Sequence, residues 1–150
     1  MFRGAPLSAG SKMGREWAGV LADVPIFAGL TRRHQGRVAE LARTKRFVPK
    51  TTLFAAGSPA DAFYVVLDGR ATVRAGSRRI GLGPGDFFGE MALLDGEARS
   101  AAVVADTELL VMMIPRRAFL KLLEDEPRIG IAIMATLARR VRAVQAAANV

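Results

Sequence analysis

Between Arg46 and Ile114 the chain consists of short β-rich runs broken by turn signals, which leaves no stretch for a helix of ordinary length. The runs are Phe47-Val48, Thr51 to Phe54, Phe63 to Leu67, Ala71 to Arg74, Arg79 to Leu82, Ala101 to Val104 and Leu109 to Ile114. Between them lie Val48-Pro49-Lys50, Gly57-Ser58-Pro59, Asp68-Gly69, Ala75-Gly76-Ser77 and Gly83-Pro84-Gly85-Asp86, rich in the residues that turns require. Asp68-Gly69, between two β runs, predicts a tight hairpin. Strands recurring every roughly 8 to 12 residues argue for a closed or double-sheet antiparallel fold of the jelly-roll type, not a parallel α/β sheet.

Both flanks change to helical spacing. Residues 15–23 place Trp17, Val20 and Leu21 on one face, and Pro25 is expected to end that helix. Thr31 is the expected N-cap of a second, with Val38, Leu41 and Ala42 on its buried side. After Ile114, Pro115 suits a first helical turn, and Ala118, Phe119, Leu122 and Leu123 follow at helical spacing. A long helix is predicted from about Pro127 to Ala147. Within it Met134, Leu137, Val141, Val144 and Ala148 step by three and four, a seam that suits either packing on the barrel or a homodimer. The reading is one domain over residues 14–150, with β-roll about 45–114, C-terminal helices 115–148 and a flexible N-terminal segment 1–13.

Residue types exclude much chemistry. With no Cys and only His34, the chain has no thiolate nucleophile, zinc finger or iron–sulfur cluster, nor any metal site needing two imidazoles. A cupin-type enzyme fails for the same reason. No run approaches the about 20 apolar residues of a membrane span and no secretory signal is evident, so the chain reads as cytoplasmic. The net charge, 22 − 14 = +8, is spread over several segments with few aromatic residues among the cations, which suits solvated helix faces better than a nucleic-acid surface.

Gly85 to Val103 breaks the strand pattern. Glu90 to Leu94 can form about one helical turn, closed by Asp95-Gly96, too short to persist for packing alone. Such a turn leaves its first N–H groups unpaired, which favours an anion, and Gly89 at its entrance allows close approach to the backbone. Arg99 sits among Ala98, Ala101 and Ala102, with little bulk nearby and a permanent charge that needs a partner. A phosphate fits the guanidinium fork, with Ser100 as a second donor. An ordinary ion pair of Arg99 with Glu90 or Glu97 is the alternative.

The string Leu82-Gly83-Pro84-Gly85-Asp86-Phe87-Phe88-Gly89-Glu90-Met91-Ala92-Leu93-Leu94, with Arg99-Ser100-Ala101-Ala102-Val103, resembles the phosphate-binding cassette of the cyclic nucleotide-binding domain family. The resemblance extends from about Val24 to Ala143. It implies a mainly β fold, an eight-stranded antiparallel β-roll with N-terminal helices and a C-terminal lid helix. It further implies that Arg99 binds the cyclic phosphate, that Glu90 accepts from the ribose 2′-hydroxyl and helps to offset Arg99, and that amides around Gly89, Met91 and Ala92 complete the cradle, with Ser100 adding a phosphate or base contact. Matching through Leu137-Ala138-Arg139-Arg140 puts Val144 and Gln145 where related proteins carry polar adenine-reading residues. Val144 departs from that pattern, Gln145 can hydrogen-bond adenine, and Arg140 can stack on the base; both also read as exposed helix residues.

The expected function is a stand-alone sensor that binds cAMP in preference to cGMP, uses no metal and catalyses nothing, and signals by movement of the C-terminal helix to an effector protein or through a homodimer. With Val150 the last residue, no DNA-reading module like that of the activator relatives is expected. The alternatives are a degenerate interaction domain that no longer binds nucleotide, or the sensor fragment of a larger regulator or channel.

Overall fold

The computed structural model describes residues 11–12, 14 and 17–148. In chain order these form β1 (Ser11–Lys12), α1 (Ala18–Leu21), α2 (Pro25–Ala28), α3 (Arg32–Leu41), β2 (Arg43–Phe47), β3 (Thr52–Phe54), β4 (Ala62–Asp68), β5 (Ala71–Ala75), β6 (Arg78–Leu82), β7 (Phe87–Phe88), α4 (Glu90–Asp95), β8 (Ala102–Ala105), β9 (Leu109–Pro115), α5 (Arg116–Asp125) and α6 (Pro127–Ala148). Strands β2 to β9 make an antiparallel roll of two sheets, ordered β2-β9-β4-β7 and β3-β8-β5-β6, with β1 added outside β2. This is the jelly-roll architecture expected from the strand spacing.

Two cores share one sheet. Along β4, Phe63, Val65 and Leu67 face a helical layer that includes Trp17, Leu21, Phe27, Val38, Phe119 and Ile129, while Ala62, Tyr64 and Val66 face the interior of the roll with Phe88, Val103 and Val111. Period-two alternation therefore leaves six successive β4 residues buried, because each face of the strand meets a different core. Phe63 stacks on Phe119 of α5 at 4.5 Å between ring centroids, joining the sheet to the C-terminal helices.

The structure corrects several local readings. Asp68-Gly69 is not a hairpin: β4 pairs with β7 and β9, whereas β5 pairs with β6 and β8 in the other sheet. The turn instead carries the chain across the roll, held to the neighbouring corner by Arg70 N donating to Thr107 Oγ1 at 3.0 Å and Asp106 N donating to Arg70 O at 2.9 Å. The tight hairpin is β5–β6, closed at Gly76-Ser77. The first helix stops at Leu21, short of the expected position 23, and Pro25 instead begins α2 at its first position, since a missing N–H costs nothing in a first turn. Thr31 caps α3 as expected, its Oγ1 accepting from His34 N at 3.2 Å.

Strand β2 starts at Arg43, before the expected Phe47-Val48; its buried residues, Thr44 and Phe47, are three apart and so lie on opposite faces of an otherwise cationic strand. Ser11 and Lys12 pair with Thr44 and Arg43. These two residues of the segment expected to be flexible thus satisfy an otherwise open sheet edge; residues 1–10 and 13, like Arg15 and Glu16 of the first expected helix, lie outside the described residues.

The C-terminal helices fall where the apolar spacing puts them. Ile129 and Ile133 bury the start of α6, and Leu137 packs at the edge of the same core. Met134, Val141 and Val144 of the same seam remain exposed.

Candidate functional site

The cassette folds as a glycine-bounded turn of helix. Gly89 precedes α4 at φ 84° and Gly96 follows it at φ 76°, both in the left-handed region that residues with a Cβ rarely adopt. Gly89 is also required by space, since a Cβ there would lie 2.8 Å from Arg99 Nη1. Ala92 and Leu93 anchor α4 to the body, while Met91 and Leu94 are exposed.

Arg99 is 3% exposed. Its backbone is fixed first: Arg99 N donates to Ser58 O at 2.9 Å, and Arg99 O accepts from Gly57 N at 2.7 Å. Its guanidinium donates through Nη1 to Gly89 O at 2.5 Å and through Nη2 to Ala62 O at 2.8 Å, with Asp61 Oδ1 at 3.3 Å. Neither Glu90 nor Glu97 is its ion-pair partner; the carboxylate beside it is the exposed Asp61. The small residues flanking Arg99 in sequence are a misleading guide to its surroundings, because the bulk comes from other strands. The guanidinium carbon lies 4.1 Å from the Phe54 ring centroid and 5.8 Å from that of Tyr64, and Tyr64 stacks on Phe88. Burial, with the Asp61 carboxylate and against the pull of Arg99, pushes the Tyr64 phenol up to about 12.

One donor remains unused. Arg99 Nε is buried without a hydrogen-bond partner among the described residues. A buried unpaired donor on a charged group is costly, and an anionic oxygen is the acceptor that compensates best. The site therefore fits an anionic ligand of the phosphate kind.

Glu90, 2% exposed, pairs with a different arginine. Arg140 of α6 donates through Nη1 to Glu90 Oε1 at 3.2 Å and through Nη2 to Phe87 O at 3.1 Å, its guanidinium carbon 4.9 Å from the Phe87 ring centroid. Burial raises the Glu90 carboxyl above the ordinary carboxylate range, opposed by hydrogen bonding at its own backbone and by the charges of Arg140 and then Arg99. The charge offset expected between Glu90 and Arg99 thus acts at longer range than the Glu90–Arg140 contact.

Arg140 is neither a free helix residue nor placed for stacking alone; it ties the long helix to the cassette. Ser100 and Gln145 are exposed and are not brought into the cluster. An open cleft of about 320 Å³ on α4 includes Ala92, Glu97 and Arg116, but neither Glu90 nor Arg99 lines it. Asp61, the Ala62 carbonyl, Phe54 and Phe87 are the contributors that the sequence reading missed, since each reaches the site through strand pairing and no local pattern marks it.

A β-roll with a buried arginine and a buried glutamate around a single helical turn defines a ligand-binding class of protein. The chain belongs to the cyclic nucleotide-binding domain family, whose model matches residues 44–126. It is 36% identical over 112 residues to a cAMP-dependent protein kinase regulatory subunit of Pyricularia oryzae, covering 73% of this chain and 29% of that one. It is 30% identical over 129 residues to the CRP-like cAMP-activated global transcriptional regulator of Mycobacterium tuberculosis, covering 82% and 58%. The solved regulatory domain of Toxoplasma gondii PKA with cAMP is similar at a TM-score of 0.72 and 28% identity, covering 84% of this chain and 50% of that one. The chain spans only 24% to 30% of the length of the fungal kinase regulatory subunits it matches. No helix among the described residues is long and apolar enough to cross a membrane.

Proposed function

We propose that this chain is a cyclic nucleotide sensor that binds cAMP in preference to cGMP, without catalysis. The observation that carries the reading is Arg99, buried beside Gly89 with Nε unpartnered. In this reading Arg99 grips the cyclic phosphate, Glu90 accepts from the ribose 2′-hydroxyl, and the amides of Gly89, Met91 and Ala92 with the Ser100 hydroxyl complete the cradle. Calorimetry with cAMP, cGMP and 5′-AMP tests it. Saturable binding in the order cAMP, cGMP, 5′-AMP is expected. No heat with either cyclic nucleotide returns the degenerate-domain reading.

The signal would pass through Arg140. A ribose hydroxyl on Glu90 meets the carboxylate that α6 already holds, so ligand and helix share one acceptor, and occupancy shifts the helix only by the difference in affinity between its two positions. Arg140→Leu removes the nearest cation from a carboxyl that burial already raises, so Glu90 should take its proton at higher pH. The fall in cAMP affinity on acidification is then expected to begin at higher pH than in the unaltered protein, with Arg140→Lys close to normal; calorimetry over a series of pH values reads this directly. The stability linkage runs the other way. A carboxyl raised by folding contributes fully below its unfolded value and loses that contribution as pH rises through its folded value.

Gln145 reads the base in this proposal only when the distal part of α6 closes over the roll. Gln145→Ala is expected to change the ratio of cAMP to cGMP affinity, and an unchanged ratio leaves the residue on the solvent face. The exposed Met134, Val141 and Val144 favour a homodimer along α6 as the next link, which sedimentation velocity with and without cAMP would measure.

A further inference from the structure

The β5–β6 hairpin presents charge that the nucleotide site does not use. Residues 70–85 hold four arginines, Arg70, Arg74, Arg78 and Arg79, and no acidic residue. The two-residue loop Gly76-Ser77 makes Ala75 and Arg78 the closing hydrogen-bonded pair. Arg74 and Arg79 form the next pair, of the non-hydrogen-bonded kind whose Cα atoms approach to about 4.5 Å. Ala71, Val73 and Leu82 take the inner face of the roll, so the Arg74 and Arg79 stems leave together from the outer face.

Like charges directly opposite weaken an antiparallel pair. Yet none of these four arginines forms an ion pair among the described residues. Arg79 Nη1 donates to the carbonyls of Gly76 at 3.0 Å and Arg78 at 3.1 Å, which steadies the group without neutralising it.

Strand β6 is also the free edge of its sheet. The same register turns the N–H and C=O groups of Arg79 and Gly81 away from β5, and no turn or loop backbone hydrogen bond among the described residues uses them. A row of backbone donors and acceptors at a sheet edge, beside two arginines placed opposite one another, matches an extended peptide carrying carboxylates. It suits a single-stranded nucleic acid poorly, because residues 69–86 contain no aromatic side chain on which a base could stack.

We propose that the β6 edge docks an extended acidic segment of a protein partner. The segment adds as a further strand on the backbone of Arg79 and Gly81 and sets carboxylates against Arg79, within reach of Arg74. The proposal is independent of what Glu90 and Arg99 bind.

The test is an NMR titration of the whole chain with a synthetic peptide of alternating glutamate and threonine, and separately with a thymidine oligonucleotide. Perturbation centred on the amides of Arg79 and Gly81 is expected, with slowed hydrogen exchange there. Arg74→Gln with Arg79→Gln should weaken peptide binding about tenfold, whereas Arg116→Gln with Arg117→Gln, which removes equal charge elsewhere, should weaken it no more than about twofold. The Arg74 and Arg79 side chains are exposed, so the folded state should tolerate both changes, and Arg79→Gln alone serves should the pair unfold. Absence of binding would leave the arginines as guards against edge pairing and overturn the proposal. Equal losses in the two double variants, or tighter binding of the oligonucleotide at this edge, would overturn it as well.

Discussion

Arg99→Ala is expected to weaken cAMP binding by about 2 to 5 kcal/mol, a loss of about 30-fold to several thousandfold, because it removes the buried charge proposed to meet the phosphate. The free protein should suffer too. The carbonyls of Gly89 and Ala62 lose their guanidinium donors, and Phe54 loses the cation against its ring. Buried acceptors left unpaired cost about 1 to 3 kcal/mol each, so affinity and thermal unfolding must be measured on the same sample. Arg99→Lys separates the two effects, since it keeps the charge but not the fork. Ligand-induced stabilisation grows with the logarithm of occupancy, so the unaltered protein should gain several degrees in saturating cAMP and the alanine variant almost none. A full ligand-induced shift in Arg99→Ala would show that the phosphate is held elsewhere.

Gly69→Ala should produce the largest loss of stability from a single added methyl group. Gly69 lies at φ 89°, and a Cβ there would press into the Glu108 carbonyl oxygen, 2.9 Å from Thr107 Oγ1 and 3.1 Å from Leu109 Cα. The obstruction is mostly backbone, at the corner where β4 leaves one sheet and β5 enters the other, so no rotamer change relieves it. Left-handed strain of about 1 to 3 kcal/mol adds to overpacking of similar size, which makes about 2 to 6 kcal/mol and a drop in Tm on the order of 10 °C. Gly57→Ala is the control: it carries the same left-handed backbone with open space around it, and should cost only the conformational part. Equal effects at the two positions would mean that the Gly69 corner relaxes.

How far the chain could be read depends on whether the signal is local. Thr31, the Glu90–Asp95 turn and the long run from Pro127 carry their instructions within a few residues, and each folds as its spacing indicates. Asp68-Gly69 carries a hairpin signal that tertiary structure overrides, because Arg70 and the 106–109 corner bind one another and pull β5 into the second sheet. Arg99 and Glu90 were legible as a pair of charges in a cassette. Their actual partners, Asp61 and Arg140, were not, since the first arrives through β4 and the second from 50 residues away on α6. The exposed seam on α6 shows the same limit, because heptad spacing alone does not say which of its residues, here Leu137, turns to the core.

That crossing between sheets also bears on how the chain reaches its native state. Among the described residues β5–β6 is the one pair of paired strands joined by a short loop, whereas Thr44 lies opposite Met112 and Thr52 opposite Val104. Most of the roll must therefore wait for distant parts of the polypeptide to meet, and topologies dominated by such long-range pairing acquire their structure in about milliseconds to seconds. During that interval β4, apolar on both faces, has no companion strand, so dilute, cool refolding should recover more soluble material than rapid concentration.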